Sequence, residues 1–181
     1  MLGACRSTHN SSAPSDSQVP AGFQAAASAE HKWLRQLVGE WNVVGEGSMG
    51  EGQPSMKLES TESVRSIGDL WVQGESRATM DGQPFTAVMT LGYDTRAGKF
   101  VGSWVDSMQT HQWVYRGTLD AEQRVLTLET EGPSFTDAAK NTLFRDAIEL
   151  VDANHKVLRS SVRNPDGTWT PIMTATYTRR R

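Results

Sequence analysis

The chain has 181 residues, a formal net charge of −3 and an isoelectric point near 5.8, which leaves no basic field to hold a phosphate backbone and excludes nucleic acid as a partner. No apolar run approaches the roughly 20 residues of a transmembrane helix. A lone cysteine, Cys5, excludes an internal disulfide framework, and no CxxC or His-rich spacing points to structural zinc.

The length favours one domain, and the plentiful Thr, Ser, Gly and Val, with six Trp, lean towards strands and turns. Two segments are expected: a tail over residues 1–29 and a domain over 30–181. Arg6–Ala21 is Ser/Ala/Pro/Thr-rich and aperiodic, so it cannot bury enough apolar surface to order itself. Before it, Leu2-Gly3-Ala4-Cys5 resembles the lipobox of bacterial lipoproteins, whose cysteine is acylated. Only Met1 precedes this box, whereas export needs a basic and then an apolar stretch. Two readings stay open. With a signal peptide upstream, Cys5 tethers the protein to a bacterial envelope membrane; without one, it is an ordinary thiol on a cytoplasmic protein.

Ser28–Val38 is the one helical segment expected. Ser28 can cap its start, Trp33, Leu34, Leu37 and Val38 form an apolar stripe, and Gly39 ends it. From Trp41 onwards about ten strand-like runs follow at intervals of roughly ten to fifteen residues. Turn residues such as Gly68-Asp69, Asp81-Gly82, Ala97-Gly98 and Pro165-Asp166-Gly167 bound them, and Glu131–Lys140 reads as a longer loop. Short connections imply antiparallel neighbours, and so many consecutive strands close up to remove exposed edges. The expected fold is all-β, an antiparallel up-and-down barrel of about ten strands with an N-terminal capping helix.

Alternation assigns the inner wall. Phe85, Ala87, Met89, Leu91 and Tyr93 share a face, as do Phe100, Gly102, Trp104, Asp106 and Met108. Inward positions elsewhere are Met56, Leu58, Glu62 and Val64, then Leu70, Val72, Ala78 and Met80, then Trp113, Tyr115 and Leu119. Phe144, Asp146, Ile148 and Leu150 follow, and finally Trp169, Met173, Ala175 and Tyr177. The wall is aromatic and Met-rich but carries Glu62, Asp106 and Asp146. An isolated buried carboxylate is costly, so the interior is expected to be wet or the acids to sit near its mouths.

Gly39-Glu40-Trp41, straight after a short helix, resembles the Gly-x-Trp signature of lipocalin-like (calycin) barrels. There the Trp closes one barrel end beneath an Arg of the last strand, which here implies Arg179. The blocks TLGYD…KFVGSWVDSM (residues 90–108) and DG-x-W…M…Y-x-R (166–179) resemble a bacterial family known only as a domain of unknown function. That resemblance implies a calycin-type barrel and no reaction. Trp41–Gly47 also resembles the start of nitrobindin-type haem barrels, for which His111 is the candidate axial ligand.

Four functions follow as expectations. The first is a barrel binding a small hydrophobic or aromatic ligand, lined by Phe85, Met89, Trp104, Asp106, Trp113, Tyr115, Tyr177, Glu62 and Asp146. The second is a hydrolase or isomerase using the inner carboxylates. The third is a haem protein using His111, and the fourth a passive envelope protein. No nucleophile elbow, P-loop, dinucleotide fingerprint or HExxH is present, so neither catalytic residue nor resident cofactor is assigned. A homodimer is a candidate assembly.

Overall fold

The chain enters the fold through α1 (Ala29–Leu34), which tightens into a 3₁₀ turn over Arg35–Leu37. The computed structural model describes residues 25–48, 55–135, 137 and 139–181; Cys5 and most of the expected tail lie outside them. The Ser28 backbone N–H donates to Nδ1 of His31 at 3.0 Å, tying down the helix start. Helix ends leave carbonyls without partners, and two distant side chains take them here. The Trp41 indole N–H donates to the Leu37 carbonyl at 2.9 Å, and the Arg179 guanidinium to those of Gln36 (3.1 Å) and Val38 (2.6 Å). The helix is therefore shorter than the Ser28–Val38 expected, because its last turn is drawn tight by these bonds. Gly39 then turns the chain at φ +139°, where a Cβ would run into the Arg179 guanidinium.

Among the described residues ten strands follow: β1 (Gly39–Gly47), β2 (Met56–Ile67), β3 (Trp71–Met80), β4 (Gln83–Asp94), β5 (Lys99–Asp106), β6 (Trp113–Leu119), β7 (Val125–Pro133), β8 (Asn141–Asp152), β9 (His155–Arg163) and β10 (Trp169–Arg179). Each pairs antiparallel with the next, and β10 returns to β1 with Trp41 opposite Arg179 and Gly47 opposite Met173. The sheet closes and leaves no edge for another chain to extend. Asp81-Gly82 makes the β3–β4 hairpin turn with both residues at positive φ, as its sequence requires.

The helix covers the end of the barrel where β1 starts. Its Trp33 indole donates to the Gln123 carbonyl in the β6–β7 turn and packs edge-on against Phe100. Trp33, Leu34 and Leu37 are buried beneath it, each contributing about 1.5–3 kcal/mol by leaving water. The core continues into the barrel through Val43, Val64, Val72, Leu91, Phe100, Leu126, Leu128 and Ile148. No described helix covers the opposite end, and none in the described residues is long and apolar enough to cross a membrane.

Four local expectations need correction. Trp169 faces outward, its ring under the Arg145 guanidinium at 3.9 Å. The register shifts between Pro171 and Met173, and this bulge absorbs one residue and reverses the facing of everything before it. Met56 is 53% exposed at the end of β2, since strand phase buries nothing beyond the barrel's rim. Leu70 lies in the β2–β3 turn rather than in a strand. The expected loop at Glu131 begins only after Pro133, because β7 stays paired with β8 as far as Asn141.

Candidate functional site in the barrel interior

The interior divides into a plugged half beneath the helix and an aromatic half beyond it. Trp41 is the plug, 1% exposed, with the Arg179 guanidinium 4.1 Å and the Lys156 ammonium 4.7 Å from its ring. Each cation–π contact is worth about 0.5–2 kcal/mol. Lys156, from β9, also lies 4.4 Å from the Tyr177 ring and donates to Oε2 of Glu62 at 2.6 Å. Glu62 has room for its carboxylate because Gly74 stands opposite: a Cβ there would sit 3.0 Å from Oε1. Both charged side chains of the pair are buried. Burial pulls the Lys156 ammonium below its ordinary range, and Glu62 pulls it back.

A second polar group lies on the β6–β10 side. The Tyr115 hydroxyl donates to Oδ2 of Asp146 at 2.7 Å, and the Ser160 hydroxyl to Oδ1 at 2.5 Å. Burial raises the Asp146 carboxyl above its ordinary value, and the two hydroxyls only partly offset this. Burial and then the nearby Asp146 charge push the Tyr115 phenol well above its usual range. The Tyr177 phenol is raised likewise, by burial and then by Glu62 and Asp146. Tyr177 thus feels both acids. In the same wall Thr130, 5% exposed, has its Oγ1 buried with no hydrogen-bond partner among the described residues, a state that costs about 1–3 kcal/mol.

Aromatic rings line the uncovered half. Trp113 packs edge-on against Phe144 (4.9 Å) and His111 (4.9 Å), and Phe135 packs against Phe144 (5.2 Å). Phe85, Met89 and Trp104 continue the wall on β4 and β5, and all three are only half-buried although they face into a closed sheet.

A family model described as "Protein of unknown function (DUF1579)" matches residues 26–179, the helix and the entire barrel. The chain belongs to the DUF1579 family. Among solved structures this DUF1579 barrel is similar to an S-type phycobiliprotein lyase, CPES, from Guillardia theta, at 10% identity and a TM-score of 0.61. That match covers 85% of this chain and 94% of the lyase. It is also similar to Rv2717c from M. tuberculosis, at 17% identity and a TM-score of 0.61, over 86% of this chain and all of that one. At such identities both likenesses show the fold alone. No curated protein matches the chain in sequence.

Within this DUF1579 barrel the residues singled out from sequence separate into groups. Glu62, Asp146, Tyr115 and Tyr177 come together as interior polar groups. Gly39, Trp41 and Arg179 meet at the helix end. Asp106 stands apart: it accepts from the backbone N–H of Met108 and Gln109, the Gln109 amide and the Trp104 indole, so it caps the β5–β6 turn. His111 lies in the same turn, its Nε2 3.2 Å from the Glu131 carbonyl. Among the described residues no group of three or more His, Cys, Asp or Glu gathers as metal ligands do.

Sequence reasoning missed Lys156, Ser160 and Thr130. Alternation carried a signal for each, since Lys156 and Ser160 share phase with Leu158 and Val162, and Thr130 with Leu126 and Leu128. Lysine and small hydroxyl residues read as surface when each is considered alone.

Proposed function

We propose that the barrel takes up a small, largely apolar ligand through its helix-free end. The observation that carries this is one stretch of the inner wall, Phe85, Met89 and Trp104 on β4 and β5, that stays half-buried although it faces into a closed sheet. Beneath the helix, inward residues such as Val72, Leu91, Phe100 and Leu126 are at most 3% exposed. Towards the other end Phe85, Met89, Trp104, Val162 and Met173 are inward-facing yet half-buried, while Trp113 and Phe144 across from β4 are buried. A side chain inside a closed sheet is accessible only where solvent can enter, so this end is open to solvent on its β4–β5 side. Met108, 65% exposed, and Phe135, 41% exposed, flank that end with apolar surface. Ligand sites of this kind combine apolar walls with a few placed polar groups, and Asp146, Tyr115 and Tyr177 supply them here.

The test is titration with a neutral fluorescent hydrophobe, N-phenyl-1-naphthylamine, read by its own emission and by quenching of tryptophan. Saturable one-to-one binding is expected, weakened about tenfold in Phe85→Ala and Trp104→Ala. Absence of saturation in the wild type, or full affinity in both variants, refutes the reading.

A further inference from the structure

The interior carries two carboxylates, and only one has a counter-ion. Glu62 is paired with Lys156 at 2.6 Å. Asp146 is held by two neutral hydroxyls, Tyr115 and Ser160, and among the described residues no Lys, Arg or His forms an ion pair with it. Each of its oxygens accepts one of these bonds and keeps a lone pair to offer. In the same wall the Thr130 hydroxyl is buried without a partner. Thr130 lies two residues along β7 from Leu128, the residue opposite Asp146 on β8. A single guest placed there has an acid to neutralise and a hydroxyl to bond.

Resting on the binding function proposed above, we infer that the ligand is a hydrophobic amine whose ammonium group is received by Asp146. An ammonium brings the missing positive charge and three N–H donors, enough for Asp146 and Thr130 together. A carboxylate guest would instead meet a like charge in a poorly screened interior, where repulsion is strong. A neutral alcohol could satisfy Thr130 but would leave Asp146 without its counter-charge. The aromatic wall suits the choice too, since ring faces attract cations.

The experiment compares octylamine, octanol and octanoate at pH 7 as competitors displacing N-phenyl-1-naphthylamine. The amine should displace the probe at about tenfold lower concentration than the alcohol, and octanoate should be weakest. In Asp146→Asn the advantage of the amine over the alcohol should vanish. Equal potency of amine and alcohol in the wild type, preference for octanoate, or an amine advantage that survives Asp146→Asn would each overturn the inference and leave the binding function standing. Failure of the probe itself to bind would overturn both. If the variant does not fold, the wild-type ranking of the three competitors decides alone.

Discussion

The ammonium of Lys156 lies 2.6 Å from the carboxylate of Glu62, although 94 positions separate them in the chain. The contact crosses the barrel between strands that are not neighbours, and both side chains are buried. Taking two ions out of water costs several kcal/mol each, and their attraction and hydrogen bond return that cost only while both are present.

Removing one partner should therefore cost more than removing both. Glu62→Leu and Lys156→Met are each expected to destabilise the barrel by about 3–5 kcal/mol, whereas the two combined recover most of that loss. Urea unfolding of the singles and the double measures it. Simple addition of the two single losses would show that the pair is not coupled.

Asp146 gives the barrel a pH dependence of known sign. Its carboxyl holds a proton more tightly in the folded state than the ordinary value of 3.8, because burial penalises the charge. The folded state then binds more protons than the unfolded one just above that value, so Asp146 contributes most below it. That contribution is lost as pH rises through the raised folded-state value. Asp146→Asn removes the titration, so its stability relative to wild type should improve from pH 4 upwards and then level off. Urea midpoints at closely spaced pH values test this, and a difference that is flat or reversed contradicts it.

Arg179 closes the helix end by bonding three carbonyls, those of Gln36, Val38 and Ala153, and by covering Trp41. Arg179→Ala is expected to cost about 2–3 kcal/mol, the range for hydrogen bonds to a charged group. Arg179→Lys should recover little, since an ammonium lacks the planar fork that reaches several carbonyls at once. Thermal melting followed by tryptophan emission reports both losses; full rescue by lysine would assign the effect to charge alone.

Thr130→Val removes a buried hydroxyl that has no partner and leaves a side chain of nearly the same shape. In the ligand-free protein it should raise stability by about 1 kcal/mol. A loss of stability would mean that the hydroxyl is already satisfied in the folded protein.

Comparison of the inner wall with its sequence shows where local pattern suffices. In β4 the run from Phe85 to Tyr93 has period two, and Ala87 and Leu91 on the face that period selects are buried. The Asp81-Gly82 and Gly98 turns set hairpin length, and Gly39-Glu40-Trp41 marks the join of helix and barrel. Trp169 shows where the pattern fails. A one-residue bulge near Ile172 reverses facing, and the proline beside it, Pro171, marks a break in the ladder without saying which way the facing changes. Asp106 shows a different failure: its position on β5 was legible, but its bonds to the turn that follows depend on how that turn folds back.

Periodicity and turn chemistry are properties of neighbouring residues, so the sequence by itself determined the strand count, the antiparallel order, the closed sheet and most of the wall's apolar face. Which charges meet across the interior was decided only by tertiary structure. Whether Lys156 finds Glu62, and whether Asp146 finds any cation, depends on the tilt and register of strands far apart in the chain. The cost of a buried charge is set by what stands within a few ångströms of it, and that distance is not written in local pattern.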